Sequence, residues 1–229
     1  MKTMGLIGGM SWASTVEYYR IINEEVSARL GGLHSAVCIL YSVDFQEIEA
    51  YQKTEDWEKA AQALIAVAGS LEKAGADFVV LCTNTMHKVA EKIQAGINIP
   101  LLHIADATAD DILLNNIKNI GLLGTRYTME QDFYKLRLEE KGIKVLTPKA
   151  GDRALIHKVI YEELCLGKAL EESRNQYKRI IRDLISQGAE GIILGCTEIG
   201  LLIKKEDMKI PLFDTTSIHA KKAVEYALR

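Results

Sequence analysis

The chain has 229 residues, 48% of them hydrophobic and 26% charged, with a formal net charge of −3. That length and balance fit one large or two small folded domains with real cores and exclude a disordered chain. The scattered acidic and basic residues leave no basic stripe for nucleic acid, and no apolar run marks a membrane span or a secretory leader, so a cytoplasmic protein is expected.

Strand and helix alternate along the chain. Residues 3–7 read as a strand, and 14–30 as a helix with Val16, Tyr19, Ile22 and Val26 at helical spacing, closed by Gly31-Gly32. Residues 37–43 read as a second strand, 57–73 as an amphipathic helix closed by Gly75, and 78–81 as a third strand leading into Thr83-Asn84-Thr85. Helices are expected over 86–94 and 107–115, with a strand begun by Pro100 between them. A second half opens at Ile120 and repeats this order to about Phe213, and a last helix covers 217–228.

The order repeats because the sequence does. Residues 74–85, AGADFVVLCTNT, recur without a gap as 187–198, QGAEGIILGCTE, which aligns Thr83 with Cys196. Met4-Gly5-Leu6-Ile7-Gly8-Gly9 is echoed by Ile120-Gly121-Leu122-Leu123-Gly124-Thr125, and Ile99-Pro100-Leu101 by Ile210-Pro211-Leu212. Each copy is an apolar run followed by small polar residues, the pattern of a buried parallel strand ending where open α/β sheets bind ligands. The expected fold is α/β: two pseudo-symmetric open lobes with mainly parallel sheets and the active site in the cleft between them. Residues 1–100 with 211–229 form the first lobe, and 101–210 the second.

The glycines after the first strand lack GxGxxG spacing, and no Lys-Ser or Lys-Thr follows, so no nucleotide site is read there. Gly8 to Ser11 and Gly124-Thr125 instead suit the approach of backbone N–H groups to a small anion such as a carboxylate. Cys38, Cys82, Cys165 and Cys196 show neither CxxC pairing nor zinc-ligand spacing, so neither a disulfide frame nor a metal is expected. Cys38 and Cys165 read as small buried hydrophobes. Cys196 alone sits at a strand end before a predicted helix, whose dipole would lower its pKa.

Gly8-Gly9-Met10-Ser11-Trp12, Val43-Asp44-Phe45, Asn84-Thr85-Met86-His87, 103–108, 124–134 and Gly195-Cys196-Thr197-Glu198 together resemble the PLP-independent aspartate/glutamate racemase superfamily, closest to its L-aspartate/glutamate-specific branch. The resemblance covers the whole chain. It implies a homodimer that needs no cofactor and racemises a small acidic amino acid by two-base proton transfer at Cα. The family's first cysteine is replaced by Thr83, with Cys82 one residue early. Adjacent strand residues face opposite ways, so Cys82 reads as structural and the pair as Thr83 and Cys196, an atypical pair favouring the L-substrate.

The resemblance also implies that Met10, Gln52, Asn84, Thr85, Thr125 and Thr197 line the substrate and that Glu198 meets its ammonium. From residue type alone, Asn84, Thr85 and Thr197 are equally turn and capping residues, and Gln52 lies in a polar segment where it could simply be solvated. His87 and His103 read as packing residues, and Asp44, Asp106 and Asp214 as loop-orienting ones. Where the wider family carries carboxylate-binding cations, this chain has Gln46, Glu47 and Ile48, then Glu163 and Leu164, leaving Arg126 and Lys168 as candidates. Two other readings stand beside this one: a related enzyme of the hydantoin racemase or maleate isomerase type, and a non-catalytic dicarboxylate-binding protein.

Overall fold

A computed structural model describes residues 1–229. In chain order the first half forms β1 (Met4–Gly8), α1 (Trp12–Leu30), β2 (Cys38–Ser42), α2 (Phe45–Lys53), α3 (Trp57–Lys73), β3 (Phe78–Leu81), a 3-10 turn at Thr85–Val89, α4 (Ala90–Ala95) and β4 (Leu101–Leu102). There follow α5 (Ile104–Leu114), β5 (Asn119–Gly124), α6 (Arg126–Glu130), α7 (Asp132–Glu139), β6 (Lys144–Leu146) and α8 (Ala150–Glu162). A 3-10 turn at Leu164–Leu166, α9 (Glu171–Ser186), β7 (Gly191–Gly195), α10 (Ile199–Leu202), β8 (Leu212–Asp214) and α11 (Thr215–Ala227) complete the chain.

The strands form two parallel four-stranded sheets of the same order, β2-β1-β3-β4 and β6-β5-β7-β8. The register reproduces the sequence repeat. Ile7 pairs with Leu81 in the first sheet and Leu123 with Leu194 in the second. The turns entering β3 and β7 match as well: Gly75 and Gly188 have φ of 95° and 100°, a conformation that favours glycine. Asp77 accepts the Thr3 N–H and Glu190 accepts that of Lys118.

Contacts divide the chain into Met1–Ile104 with His219–Arg229, and Ala105–Ile218. These bounds differ by a few residues from those read off the repeat, and strand pairing is the reason. β4 pairs with β3 and keeps 101–104 in the first unit, while β8 pairs with β7 and draws 211–218 into the second.

In the first unit the sheet is covered on both faces. Ile7, Val79 and Leu81 pack with Ala60, Leu64 and Leu71 of α3 on one side. Met4, Leu6, Phe78, Val80 and Cys82 pack with Tyr18, Ile22 and Val26 of α1 and Ala220 and Val224 of α11 on the other. Each fully buried Leu, Ile or Val contributes about 1.5–3 kcal/mol. The inward stripe of α1 is therefore Tyr18, Ile22 and Val26, and the expected Val16 and Tyr19 are exposed. Tyr18 can take the inward place because His219 Nδ1 meets its hydroxyl at 2.9 Å.

The second unit buries Leu122, Ile192 and Ile193 of its sheet with Ile156, Tyr177, Ile180 and Leu184 of α8 and α9. No helix of the chain is long and apolar enough to cross a membrane.

Candidate active site

In the first unit the loop from β1 to α1 is held by packing. Gly9 has φ +96°, and a Cβ there would stand 2.1 Å from the Val43 carbonyl oxygen, so only glycine fits. Its N–H donates to Thr15 Oγ1 at 2.8 Å, and the Thr15 hydroxyl donates to the Ser11 carbonyl at 3.0 Å. The Gly9 N–H expected for an anion is thus already engaged. Met10 lies in the apolar cluster that also holds Ile48 and Met86.

Gln52 is not solvated. Asp44 caps α2 by accepting the Gln46 N–H at 3.0 Å, and the helix turns Ile48 and Gln52, one turn apart, inward. Gln52 is buried, with its amide nitrogen 3.0 Å from Met86 Sδ.

At the end of β3 the side chains alternate as strand geometry requires. Cys82 belongs to the core with Phe78 and Val80, and burial pushes its thiol well above the usual cysteine range. Thr83 follows, buried, with its N–H donating to the Leu81 carbonyl at 2.8 Å. Asn84 and Thr85 are buried too, and the His87 N–H closes the turn onto the Asn84 carbonyl at 3.1 Å. The expected helix 86–94 is therefore split into the 3-10 turn Thr85–Val89 and α4.

The second unit's site-bearing loops are built differently. Thr125 caps α6 by accepting the Thr128 N–H at 3.4 Å. The next residue, Arg126, is exposed and makes no ion pair; its guanidinium lies 5.4 Å from the Tyr127 ring centre and its N–H donates to His157 Nδ1 at 3.2 Å. Burial and the Arg126 charge hold the His157 imidazole below its ordinary pKa. Lys168 is exposed and also without an ion pair.

Cys196 and Thr197 follow β7, both half-buried. The Cys196 thiol donates to Glu198 Oε2 at 3.0 Å, and Glu198 is itself buried. Burial, the Glu198 carboxylate and the nearby Cys165 all push this thiol well above the usual range. Against the expected lowering by a helix dipole stand burial first and then the carboxylate two positions on, and α10 has only four residues.

Thr216 escapes the sequence reading, and Cys165 is read there only as a small buried hydrophobe. Cys165 lies in the 3-10 turn Leu164–Leu166, with its thiol pushed up to about 12 by burial and by Glu198. Thr216 follows β8, whose Asp214 pairs with Leu194 of β7, and its buried hydroxyl has no hydrogen-bond partner. An unsatisfied buried hydroxyl at a strand's carboxyl end calls for an explanation. Neither residue lies in a repeated motif, so only the fold reveals it.

The family model described as Asp/Glu/Hydantoin racemase matches residues 7–223. The chain belongs to that family. It is 28% identical over 169 residues to the broad specificity amino-acid racemase RacX of Bacillus subtilis, covering 74% of this chain and 73% of that one. A solved structure from Yersinia pestis, provisionally called an Asp/Glu racemase, is 60% identical over the whole of both chains, with a TM-score of 0.94. An aspartate racemase homologue from Pyrococcus horikoshii is 37% identical over the whole of both, with a TM-score of 0.85. The family's named members are racemases, a class of isomerase, and the two-sheet α/β fold is theirs.

Proposed function

We propose that the protein is a cofactor-independent racemase that interconverts the enantiomers of aspartate or glutamate, with Cys196 serving one face of Cα and Thr83 the other. The observation that carries this reading is the equivalence of the two residues, each two positions beyond the matched leucines Leu81 and Leu194 in sheets of the same order. Substrate class comes from the family and from the names of its relatives.

Racemisation needs an acid and a base on opposite faces of a planar carbanion, each group contributing on the order of 10²–10⁴-fold. The raised Cys196 thiol is protonated at neutral pH and donates a proton as it stands. It becomes a base when its proton passes to Glu198, 3.0 Å away. The thiolate then removes the Cα proton, regenerating the thiol. The carbanion is protonated on its other face by the Thr83 hydroxyl, directly or through water; the hydroxyl recovers its proton from solvent, and Glu198 releases to solvent the proton it took from the thiol. A hydroxyl is a weaker acid than a thiol, so kcat differs between the two directions, with KM compensating because the equilibrium constant is one; the preference for the L-substrate is what the resemblance to the L-specific branch implies.

Met10, Gln52, Asn84, Thr85, Thr125, Thr197 and Glu198 line the substrate in this scheme. Arg126, exposed and free of ion pairs, supplies a cation for the side-chain carboxylate, with Lys168 the other candidate. The four free cysteines fit a reducing compartment, and we place the protein in the cytoplasm.

The protein acts as a homodimer in this reading, because Trp12, Val16 and Tyr19 of α1 and Leu40 and Tyr41 of the edge strand β2 expose apolar surface that a second copy would cover. Light scattering that returns a monomer at micromolar concentration removes the dimer.

The deciding experiment is incubation with L-aspartate or L-glutamate in deuterium oxide. Deuterium at Cα and the opposite enantiomer are expected from the native protein, and Cys196→Ala should lose both by about 1000-fold or more. Exchange that persists in Cys196→Ala excludes this role for the thiol.

A further inference from the structure

Three buried histidines of the first unit, His87, His103 and His219, take no part in the chemistry above. Two of them have their tautomers fixed by backbone partners. The Ile104 N–H lies 3.1 Å from His87 Nε2 and can only donate, so Nε2 carries no proton. His87 Nδ1 lies 2.7 Å from the Thr83 carbonyl oxygen, which can only accept, so Nδ1–H is the donor. His87 is thus a neutral imidazole that joins the first residue of α5 to the backbone of Thr83.

His219 braces the same segment from the other side. Its Nε2 donates to the Leu102 carbonyl at 2.9 Å, and its Nδ1 accepts the Tyr18 hydroxyl proton at 2.9 Å. Burial holds His219 neutral, with its pKa lowered to about 4. The ring centres of His87 and His103 are 4.5 Å apart, and those of His87 and His219 are 5.7 Å apart. Residues 102–104 are therefore hydrogen-bonded at both ends, and what they fix is passed through one imidazole to the turn bearing Thr83.

We propose that His87 is a positioning residue for Thr83: its Nδ1–H···O=C bond holds the turn at the end of β3 so that the Thr83 hydroxyl meets Cα at a fixed distance and angle. The proposal rests on the reading of Thr83 as the second proton-transfer group. A group misplaced by about 1 Å loses on the order of 10²-fold in rate, and Thr83 has no carboxylate at the place of Glu198, since the repeat puts Thr85 there. Its placement must come from the backbone.

The test separates exchange from inversion. In deuterium oxide, label appearing in unreacted substrate needs only the Cys196 face, whereas formation of the opposite enantiomer needs both. His87→Ala should lower inversion by ~100-fold through kcat, with KM and single-face exchange nearly unchanged. His87→Asn, whose side-chain amide keeps a donor near Nδ1, should recover most of the loss. Inversion and exchange falling together, an unchanged ratio, or no recovery in the asparagine variant overturns the proposal. Thr83→Ala is the control: if it leaves the ratio of inversion to exchange untouched, the assignment of Thr83 fails, independently of His87. Nitrogen-15 shifts of the native protein give a readout that needs no variant, with a protonated Nδ1 and a bare Nε2 at His87 expected, and the reverse tautomer refuting the bond.

Discussion

The two strand ends that carry the candidate chemistry come from one repeated sequence, yet they are built to different standards of rigidity and charge. After β3, Thr83, Asn84 and Thr85 are all buried, and the carbonyl of Thr83 is held by His87. After β7, Cys196 and Thr197 are half-buried, and Cys196 is held through its side chain, by Glu198. One end carries a hydroxyl and is held through its backbone; the other carries a thiol and is held by a neighbouring carboxylate. The residue before each shows how the sheet tolerates the difference. Cys82 fills core space on the α1 side, whereas a Cβ on Gly195 would come within 2.7 Å of the Leu123 carbonyl oxygen. A duplicated fold preserves the position of a functional group while leaving its chemistry free to diverge.

The largest effect that would sharpen this contrast is expected from Thr83→Cys. A thiol with an unperturbed pKa of about 8.5 replaces a hydroxyl that scarcely ionises. No carboxylate stands two positions on to raise it further, only Thr85. Inversion in the slower direction should rise by about 100-fold, bringing the rates from the two enantiomers closer together. Steady-state assays from each enantiomer check this, and unchanged rates in both directions would take Thr83 out of the reaction.

Much of this contrast is legible in sequence, for a physical reason. A gap-free repeat with a continuous apolar run ending in small polar residues specifies strand and strand end together, so the alignment of Thr83 with Cys196 needs no coordinates. The register of Ile7 with Leu81 and of Leu123 with Leu194 is the same statement in space. What the sequence leaves open depends on partners distant along the chain. Tyr18 rather than Tyr19 faces inward because His219, 201 positions away, receives its hydroxyl. Gln52 is buried because Met86 meets it. α2 is held by the Asp44 cap and its inward Ile48, with Phe45 and Tyr51 packed against the same cluster. The state of the Cys196 thiol is hidden for the opposite reason. Glu198 is only two residues off, but whether its carboxylate turns back to the sulfur is a matter of the turn's geometry.

That last contact gives the smallest and most diagnostic effect. Glu198→Gln removes the carboxylate charge that helps keep the Cys196 thiol protonated. The sign follows directly: a nearby negative charge disfavours thiolate, so neutralising it lowers the thiol pKa. Burial, the largest cause, remains, so the variant's thiol should still titrate above an ordinary cysteine. Iodoacetamide labelling of Cys196, followed peptide by peptide across pH, should move its midpoint downward. Cys38, far along the sequence and raised by burial alone, should keep its profile. Racemisation should fall even though more thiolate is present, because the group that receives the thiol proton has been lost. If labelling shifts down and turnover rises instead, Glu198 is only an electrostatic brake on the sulfur. The two strand ends would then differ by their reactive atoms alone.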